Sequence, residues 1–151
     1  AVGLSLWAAH PARATVNLTL TTQEGTHDMD FGDVRESDTV TRQLRVKVTS
    51  TTSDLFKVFM RVNGPWANLS GKELSIDQNV QFFVSEASAG ATVRHPNPTP
   101  MAAEQELILS SQSEDILVTF IVRVPAGQPD GAPGQPAGSY RTTVSFQAEA
   151  L

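Results

Sequence analysis

The chain has no cysteine among its 151 residues, so neither a disulfide framework nor thiolate chemistry is available to it. It also lacks any run of about 20 apolar residues, the length that a membrane-spanning helix needs. Its 11 Lys and Arg are scattered and are outnumbered by 16 Asp and Glu, which gives a net charge of −5. Without such an apolar run, we expect no membrane span. Because phosphate backbones are bound by basic faces, we also expect no nucleic-acid partner.

The residues that commonly carry catalysis are also scarce. His10, His27 and His95 are the only imidazoles, and none of them lies in a nucleophile motif such as Gly-x-Ser-x-Gly. No spacing of residues indicates a cofactor. The sequence therefore predicts a protein that is not an enzyme and that has no cofactor.

The acidic residues suggest two further sites, and both have simpler explanations. Four carboxylates stand in close pairs, Glu104 with Glu106 and Glu114 with Asp115. These pairs fall in or beside expected turns, where a solvated charge is the usual role. A second group has the residue types of a metal site: His27, Asp28, Asp30 and Asp33. Since Asp28 and Asp30 would share one strand face and His27 would point away, we expect no metal there.

What the chain does have is strict alternation of apolar and polar residues. In residues 40–48 the apolar set Val40, Leu44, Val46 and Val48 alternates with polar residues, and the same period recurs in residues 56–62, 116–124 and 140–148. A period of two places one set of side chains on a buried face and the other in water. Further strands are expected at residues 15–22, 80–85, 91–94 and 106–111. The pattern predicts an all-β protein: one antiparallel Ig-like, Greek-key β-sandwich over residues 15–151.

Several segments interrupt the alternation. Residues 66–77 are expected to form a loop or an irregular excursion, and residues 125–138, which are rich in Pro and Gly, an extended loop. Residues 95–100 contain three prolines and are expected to be a break that cannot lie inside a sheet. Met29-Asp-Phe-Gly32 reads as a short apolar anchor. No helix is expected beyond one turn at residues 100–105.

Residues 1–14 form an N-terminal extension with two interpretations. The apolar run followed by Ala12-Arg13-Ala14 matches the end of a secretory signal. The same residues also read as a strand, in which Val2, Leu4 and Leu6 alternate with smaller residues. Both interpretations imply export, and the sequence leaves the choice between them open.

Trp66 is the best candidate for ligand contact, because it follows Gly64-Pro65 in an expected loop where an indole ring could face a sugar. A buried loop anchor is the more common role of such a tryptophan. If the ring is exposed, the chain fits a monomeric secreted module that binds a glycan or a surface protein. That module would be centred on Trp66 and the 95–100 and 125–138 loops.

Three segments carry a family resemblance, in this order: the alternating strand Thr15–Thr22, the motif Met29-Asp-Phe-Gly32-Asp-Val34, and Pro136-Ala-Gly-Ser-Tyr140 with the strand that follows to Phe146. Together they resemble the spore-coat-protein-U-like family of exported bacterial domains and the related pilins of archaic chaperone–usher pili. The resemblance is clear at both ends of residues 15–151 and loose between them. Members of that family commonly have a disulfide near the first strand, which this chain lacks.

The resemblance implies a structural subunit on the cell surface. Each such pilin is an incomplete Ig-like sandwich that the N-terminal segment of the next subunit completes. The implied partners are identical subunits in a filament, a periplasmic chaperone and an outer-membrane usher. The implied location of the assembled fibre or coat is extracellular.

Two segments of this chain suit the role of donor strand because they are extended and alternate. The donor candidates are Val2, Leu4 and Leu6, and Val16, Leu18 and Leu20; the closing-strand candidates on the accepting side are Tyr140, Val144 and Phe146. Head-to-tail insertion of such a strand produces open filaments. The alternative is that both donor candidates are simply the first strands of a self-contained sandwich.

Overall fold

The computed structural model describes residues 16–22, 28–31, 39–64, 66–67, 73–74, 78–123 and 140–151. Within these ranges the chain contains strands and no helix. Seven strands have seven residues or more: β1 (Val16–Thr22), β3 (Thr39–Ser50), β4 (Phe56–Val62), β7 (Val80–Glu86), β10 (Glu104–Ser110), β11 (Glu114–Arg123) and β12 (Arg141–Ala150). Five are shorter: β2 (Asp28–Asp30), β5 (Trp66–Ala67), β6 (Glu73–Leu74), β8 (Thr92–Val93) and β9 (Thr99–Pro100).

The strands form two sheets, and every pairing is antiparallel. Sheet 1 has the order β1-β3-β11-β7-β9, and sheet 2 has the order β6-β5-β12-β4-β10-β8, with β2 also paired to β12. Consecutive long strands from β3 to β12 alternate between the sheets, so their partners come from distant parts of the chain. This arrangement confirms the predicted all-β sandwich.

One hydrophobic core lies between the sheets. Strands of sheet 1 contribute Val46 and Phe120, and strands of sheet 2 contribute Met60 and Phe146, all at 2% exposure or less. These residues occupy alternate positions in their strands, as a half-buried sheet requires. Fully burying one such side chain contributes about 1.5–3 kcal/mol, so the shared core is the main stabilising element of the sandwich.

The long alternating segments form the strands that their pattern predicts, to within one or two residues. β3, β4 and β11 coincide with the predicted segments, and β12 continues two residues beyond Ala148. The predicted anchor is also present, since Phe31 is 1% exposed and its N–H donates to the carbonyl oxygen of Tyr140 at 3.0 Å. Alternation was thus sufficient to locate most of the sandwich.

Two expectations about the interruptions were wrong, and a third is refined. Within residues 66–77, where a loop or an irregular excursion is expected, two two-residue strands, β5 and β6, pair with each other. Residues 100–105 form no helical turn, because β10 begins at Glu104. The proline-rich segment does enter a sheet. Pro100 lies in β9, at the end of the strand order of sheet 1, and pairs with Gln81 of β7. An edge strand tolerates proline because its missing N–H can face away from the ladder.

Candidate functional site

The first strand, β1, forms one edge of sheet 1. Its register places Leu18 opposite Val48 and Leu20 opposite Val46 of β3. Among the strands that the structure describes, β3 is the only one that pairs with β1. The seven residues of β1 include no charge and no proline, so the strand lacks two of the devices that blunt sheet edges. Such a backbone is suited to the addition of a further strand.

The last strand, β12, contains the predicted closing residues. Val144 and Phe146 are each 2% exposed, and Tyr140, directly before the strand, is 1% exposed. From residue 144 to residue 150 the strand pairs with β4, and residues 141–143 pair with β2. The closing residues are therefore part of the core that holds sheet 2 against sheet 1.

β1 and β12 meet along one side of the sandwich. They belong to different sheets, but their Cα atoms come within 8 Å of each other. No backbone ladder joins these two described strands. One side of the molecule, named here the β1–β12 side, thus brings the second donor candidate next to the predicted closing strand.

The other predicted site residues lie wholly or partly outside what the structure describes. Val2, Leu4 and Leu6 lie outside the described residues. Trp66 lies in β5, where its backbone pairs with Leu74 of β6, but its side chain is outside what the structure describes, as are residues 124–139. The glycan interpretation of Trp66 therefore stays a prediction.

The structure describes only some of the residues considered for metal binding and catalysis. Asp28 and Asp30 lie in β2, opposite Thr143 and Arg141, while His27 and Asp33 are outside the described residues. Within the described ranges, no group of three His, Cys, Asp or Glu residues could hold a metal ion. 

Among the imidazoles, His95 packs its ring edge-on against Phe82, with the ring centroids 5.1 Å apart. Phe82 is itself a core residue, at 1% exposure. The ring contact gives His95 a packing role beside the core.

Glu114 is a buried carboxylate, which corrects the expectation of a solvated turn charge. It is 4% exposed and accepts hydrogen bonds from the Ser88 N–H at 3.1 Å and from the Ser88 and Ser110 hydroxyls at 2.6 Å each. The sequence did contain a signal for this burial. Glu114 has the same alternate-position phase as Ile116 and Val118, so it continues the core-facing row of β11.

The outer face of sheet 2 carries a ladder of ion pairs. Glu106 contacts Arg94 and lies 3.3 Å from the Lys57 ammonium, and Glu104 lies 2.8 Å from the Arg61 guanidinium. Partial burial opposes ionisation of Glu106, but the hydrogen bonds from Arg94 and Lys57 together outweigh it and hold the pKa of that carboxyl below its ordinary value. This face is polar and internally neutralised, which does not favour a docking partner of one charge.

On the outer face of sheet 1, Arg45 bridges two strands. Its guanidinium contacts Asp115 at 3.1 Å and Glu86 at 3.4 Å. The hydrogen bond to Asp115 is the main reason that the pKa of Arg45 is raised. Since all three side chains are substantially exposed, the bridge contributes little to stability.

A polar cleft of about 470 Å³ lies at the end of sheet 1 where β3 and β7 begin and β11 ends. Its lining comprises Thr39, Gln78, Asn79, Gln81, Ile121 and Arg123. Asn79 is 2% exposed, and its side-chain amide donates to the carbonyl oxygen of Arg123 at 2.9 Å. The backbone of this wall is therefore fixed, while three amides, a hydroxyl and a guanidinium supply hydrogen-bonding groups.

The fold and these sites define the class of the protein as an antiparallel β-sandwich whose strand β1, among the described strands, pairs with β3 alone. No protein-family model matches the chain, and no curated protein matches it either. The described residues include no helix long and apolar enough to cross a membrane.

Proposed function

We propose that this chain is an exported, non-enzymatic structural subunit that polymerises by donor-strand complementation into a surface filament, pilus or coat. One observation carries the proposal: β1 is a seven-residue edge strand without charge or proline. A monomer that keeps such an edge risks uncontrolled pairing, whereas a polymer uses the same edge for assembly. The resemblance to spore-coat-protein-U-like domains and archaic pilins supports the same role.

The donor in this proposal is the extension that contains Val2, Leu4 and Leu6. Residues 16–22 already pair with β3 in their own chain, and donating them would first require those seven register pairs to open. Donation by residues 1–14 leaves β1 paired with β3. The alternating apolar residues of this extension also suit insertion between two sheets, because one row of side chains can face the core. The acceptor is the β1–β12 side of the next subunit, where Val144 and Phe146 belong to the adjoining core.

Head-to-tail donation determines the kind of assembly. Each subunit would give one segment and receive another at a different surface, so the contact does not close on itself and yields open filaments. We also propose a periplasmic chaperone that holds the subunit before assembly and an usher at the outer membrane. Both partners follow from the family resemblance.

The test is a pair of substitutions at neighbouring positions of the extension. Leu4→Asp places a charge in the apolar row and should abolish filaments in electron micrographs, because a buried charge is costly. Ser5→Asp places the same charge in the opposite row and should leave filaments intact. Both variants should retain the thermal unfolding midpoint of the wild-type monomer, since they precede β1.

Leu18→Asp extends the test to the second donor candidate. Leu18 lies opposite Val48 in its own subunit, so this variant is interpreted only together with its unfolding midpoint. Filaments that persist in both Leu4→Asp and Leu18→Asp would show that neither segment is a donor strand. A wild-type chain that stays monomeric would contradict the proposed polymer itself.

A second candidate function is favoured by the polar cleft. Its amides and the Arg123 guanidinium, together with apolar Ile121, match the mixture of hydrogen bonds and apolar contact that sugars use in binding sites. Pro100, opposite Gln81 at the cleft, links this cleft to one of the two loops that the sequence singles out. The chain would then be a monomeric secreted glycan-binding module.

A glycan array probed with wild-type protein and with Arg123→Ala tests this candidate. Binding that the variant loses, by a protein that sedimentation shows to be monomeric, would favour the module over the filament. No binding to any glycan on the array would remove the second candidate. Thr41→Ala, on the same outer face but outside the cleft lining, serves as the control.

A further inference from the structure

Two exposed leucines form an apolar corner at one end of sheet 2. Among the side chains that the structure describes, the exposed large hydrophobic ones are Leu55, at 49%, and Leu151, at 46%. The Leu151 N–H donates to the Leu55 carbonyl oxygen at 3.0 Å, one residue beyond the last β4–β12 pair, Ala150 with Phe56. Residues opposite each other in a ladder extend to the same face, so the two side chains adjoin. We call this pair the Leu55–Leu151 corner.

The chain that leads to this corner is uncharged over the five residues before Asp54. Thr49 and Ser50 end β3, and Thr51, Thr52 and Ser53 begin the connection to β4, which continues with Asp54 and Leu55. Interfaces between proteins are depleted of charged residues at their centres. A partner that covers the corner from this side would meet the single charge of Asp54, which directly precedes Leu55, and then only short hydroxyl side chains.

The corner also lies at the end of the sandwich where the N-terminal extension joins it. The first residue of β1, Val16, is opposite Ser50 of β3, and Ser50 is separated from Leu55 by only four residues. Fifteen residues precede Val16 in the sequence. If those residues enter another subunit, the corner is on the end that faces that subunit.

We infer that the Leu55–Leu151 corner docks against a second copy of this chain, namely the subunit that receives the extension. This inference rests on the proposed filament and adds to it a surface contact beside the donated strand. The contact buries two leucines that would otherwise stay in water at every junction. It also gives the junction a fixed orientation, because a donated strand on a flexible connection does not set one by itself.

Labelling at single cysteines tests the contact directly, since the native chain has no cysteine. Leu55→Cys and, as control, Thr41→Cys on the outer face of sheet 1 each carry one environment-sensitive fluorophore. We expect emission from position 55 to shift to the blue when filaments form, and emission from position 41 to stay unchanged. Filaments without a shift at position 55 would overturn the inference, as would an emission already blue in the monomer.

A pair of charge substitutions gives a second readout. Leu55→Asp should raise the critical concentration for filament formation about tenfold or more, because the docked leucine is replaced by a charge that must be desolvated. Thr41→Asp, with the same charge added elsewhere, should leave it unchanged. An unchanged critical concentration in Leu55→Asp contradicts the docking.

The two proposals fail in different ways. If wild-type filaments form, Leu4→Asp abolishes them and Leu55→Asp has no effect, the proposed function stands and the docking surface is wrong. If the wild-type chain sediments only as a monomer, the proposed function is wrong and no second copy covers the corner.

Discussion

β1 and β11 are strands of the same sheet, and both alternate apolar and polar residues, but they occupy different positions in it. β11 lies in the middle: it pairs with β3 along all ten of its residues and with β7 on its other side. Among the described strands, β1 pairs with β3 alone. A central strand has both rows of backbone groups committed within the chain, whereas an edge strand keeps one row for a partner.

This difference separates the stabilising part of the sandwich from the part proposed for assembly. The core-facing row of β11, from Ile116 to Val122, is fully buried. β1 has an equally regular sequence, but it pairs with one described strand where β11 pairs with two. We therefore expect changes in β11 to affect folding most, and changes on the β1 side to affect assembly.

The largest effect is expected from truncating the centre of β11. Phe120→Ala removes a ring at 0% exposure and should lower the free energy of unfolding by about 3–5 kcal/mol, through lost burial and the cavity that remains. Urea denaturation followed by circular dichroism measures it. Arg123→Ala, exposed at the end of the same strand, should change stability by no more than about 0.5 kcal/mol. Equal effects of the two changes would contradict the central role of β11.

A smaller effect is expected at the start of β11. Glu114→Ala leaves the Ser88 N–H and the hydroxyls of Ser88 and Ser110 without their buried acceptor, at a cost of about 1–3 kcal/mol. Glu104→Ala removes only an exposed ion pair and should cost about 1 kcal/mol or less. The same urea titration measures both. If Glu114→Ala proved neutral, the network would have no structural role.

Hydrogen exchange compares the two strands directly. In the monomer, the backbone amides of β1 should exchange at least about tenfold faster than those of β11, a difference of about 1.4 kcal/mol in opening free energy. Mass spectrometry of peptides covering residues 16–22 and 114–123 resolves this. Equal protection of the two strands would mean that β1 is held as firmly as the centre of its sheet.

The smallest effect concerns pH and the ion pairs of sheet 2. The folded-state pKa of Glu106 lies below its unfolded value, so its stabilising contribution is present above the ordinary carboxyl pKa and is lost as pH falls through the folded value. Glu106→Gln should thus cost about 1 kcal/mol or less at pH 7, with the difference from wild type shrinking toward pH 3. A difference that grew on acidification would have the wrong sign.

The sequence predicted most of the long strands, because alternation is a local property. It located the strand containing Phe120 and the buried anchor Phe31. It could not predict the strand order, since β3 pairs with β11 through residues some 70 positions apart, as the Gln43–Thr119 hydrogen bond illustrates. The two-residue strands β5 and β6 also leave no pattern of their own, because they form by pairing with each other.

The site was only partly predictable. The core positions of Val144 and Phe146 follow from period two, but the approach of β1 to β12 depends on how two sheets close on each other. The charge of Glu114 suggests a solvated side chain, whereas its alternate position in the strand, shared with Ile116 and Val118, indicates the burial that the structure shows. The polar cleft gathers residues from three strands, so no segment of sequence could indicate it.

Cryo-electron microscopy of the native, unboiled protein, with its N-terminal residue sequenced from the same sample, tests strand complementation most directly. We expect filaments in which an extended segment containing Leu4 of one subunit lies along the β1–β12 side of the next. Filaments whose chains begin only at Thr15 would transfer the donor role to residues 16–20. Monodisperse monomers, or filaments in which no strand passes between subunits, would contradict the proposal.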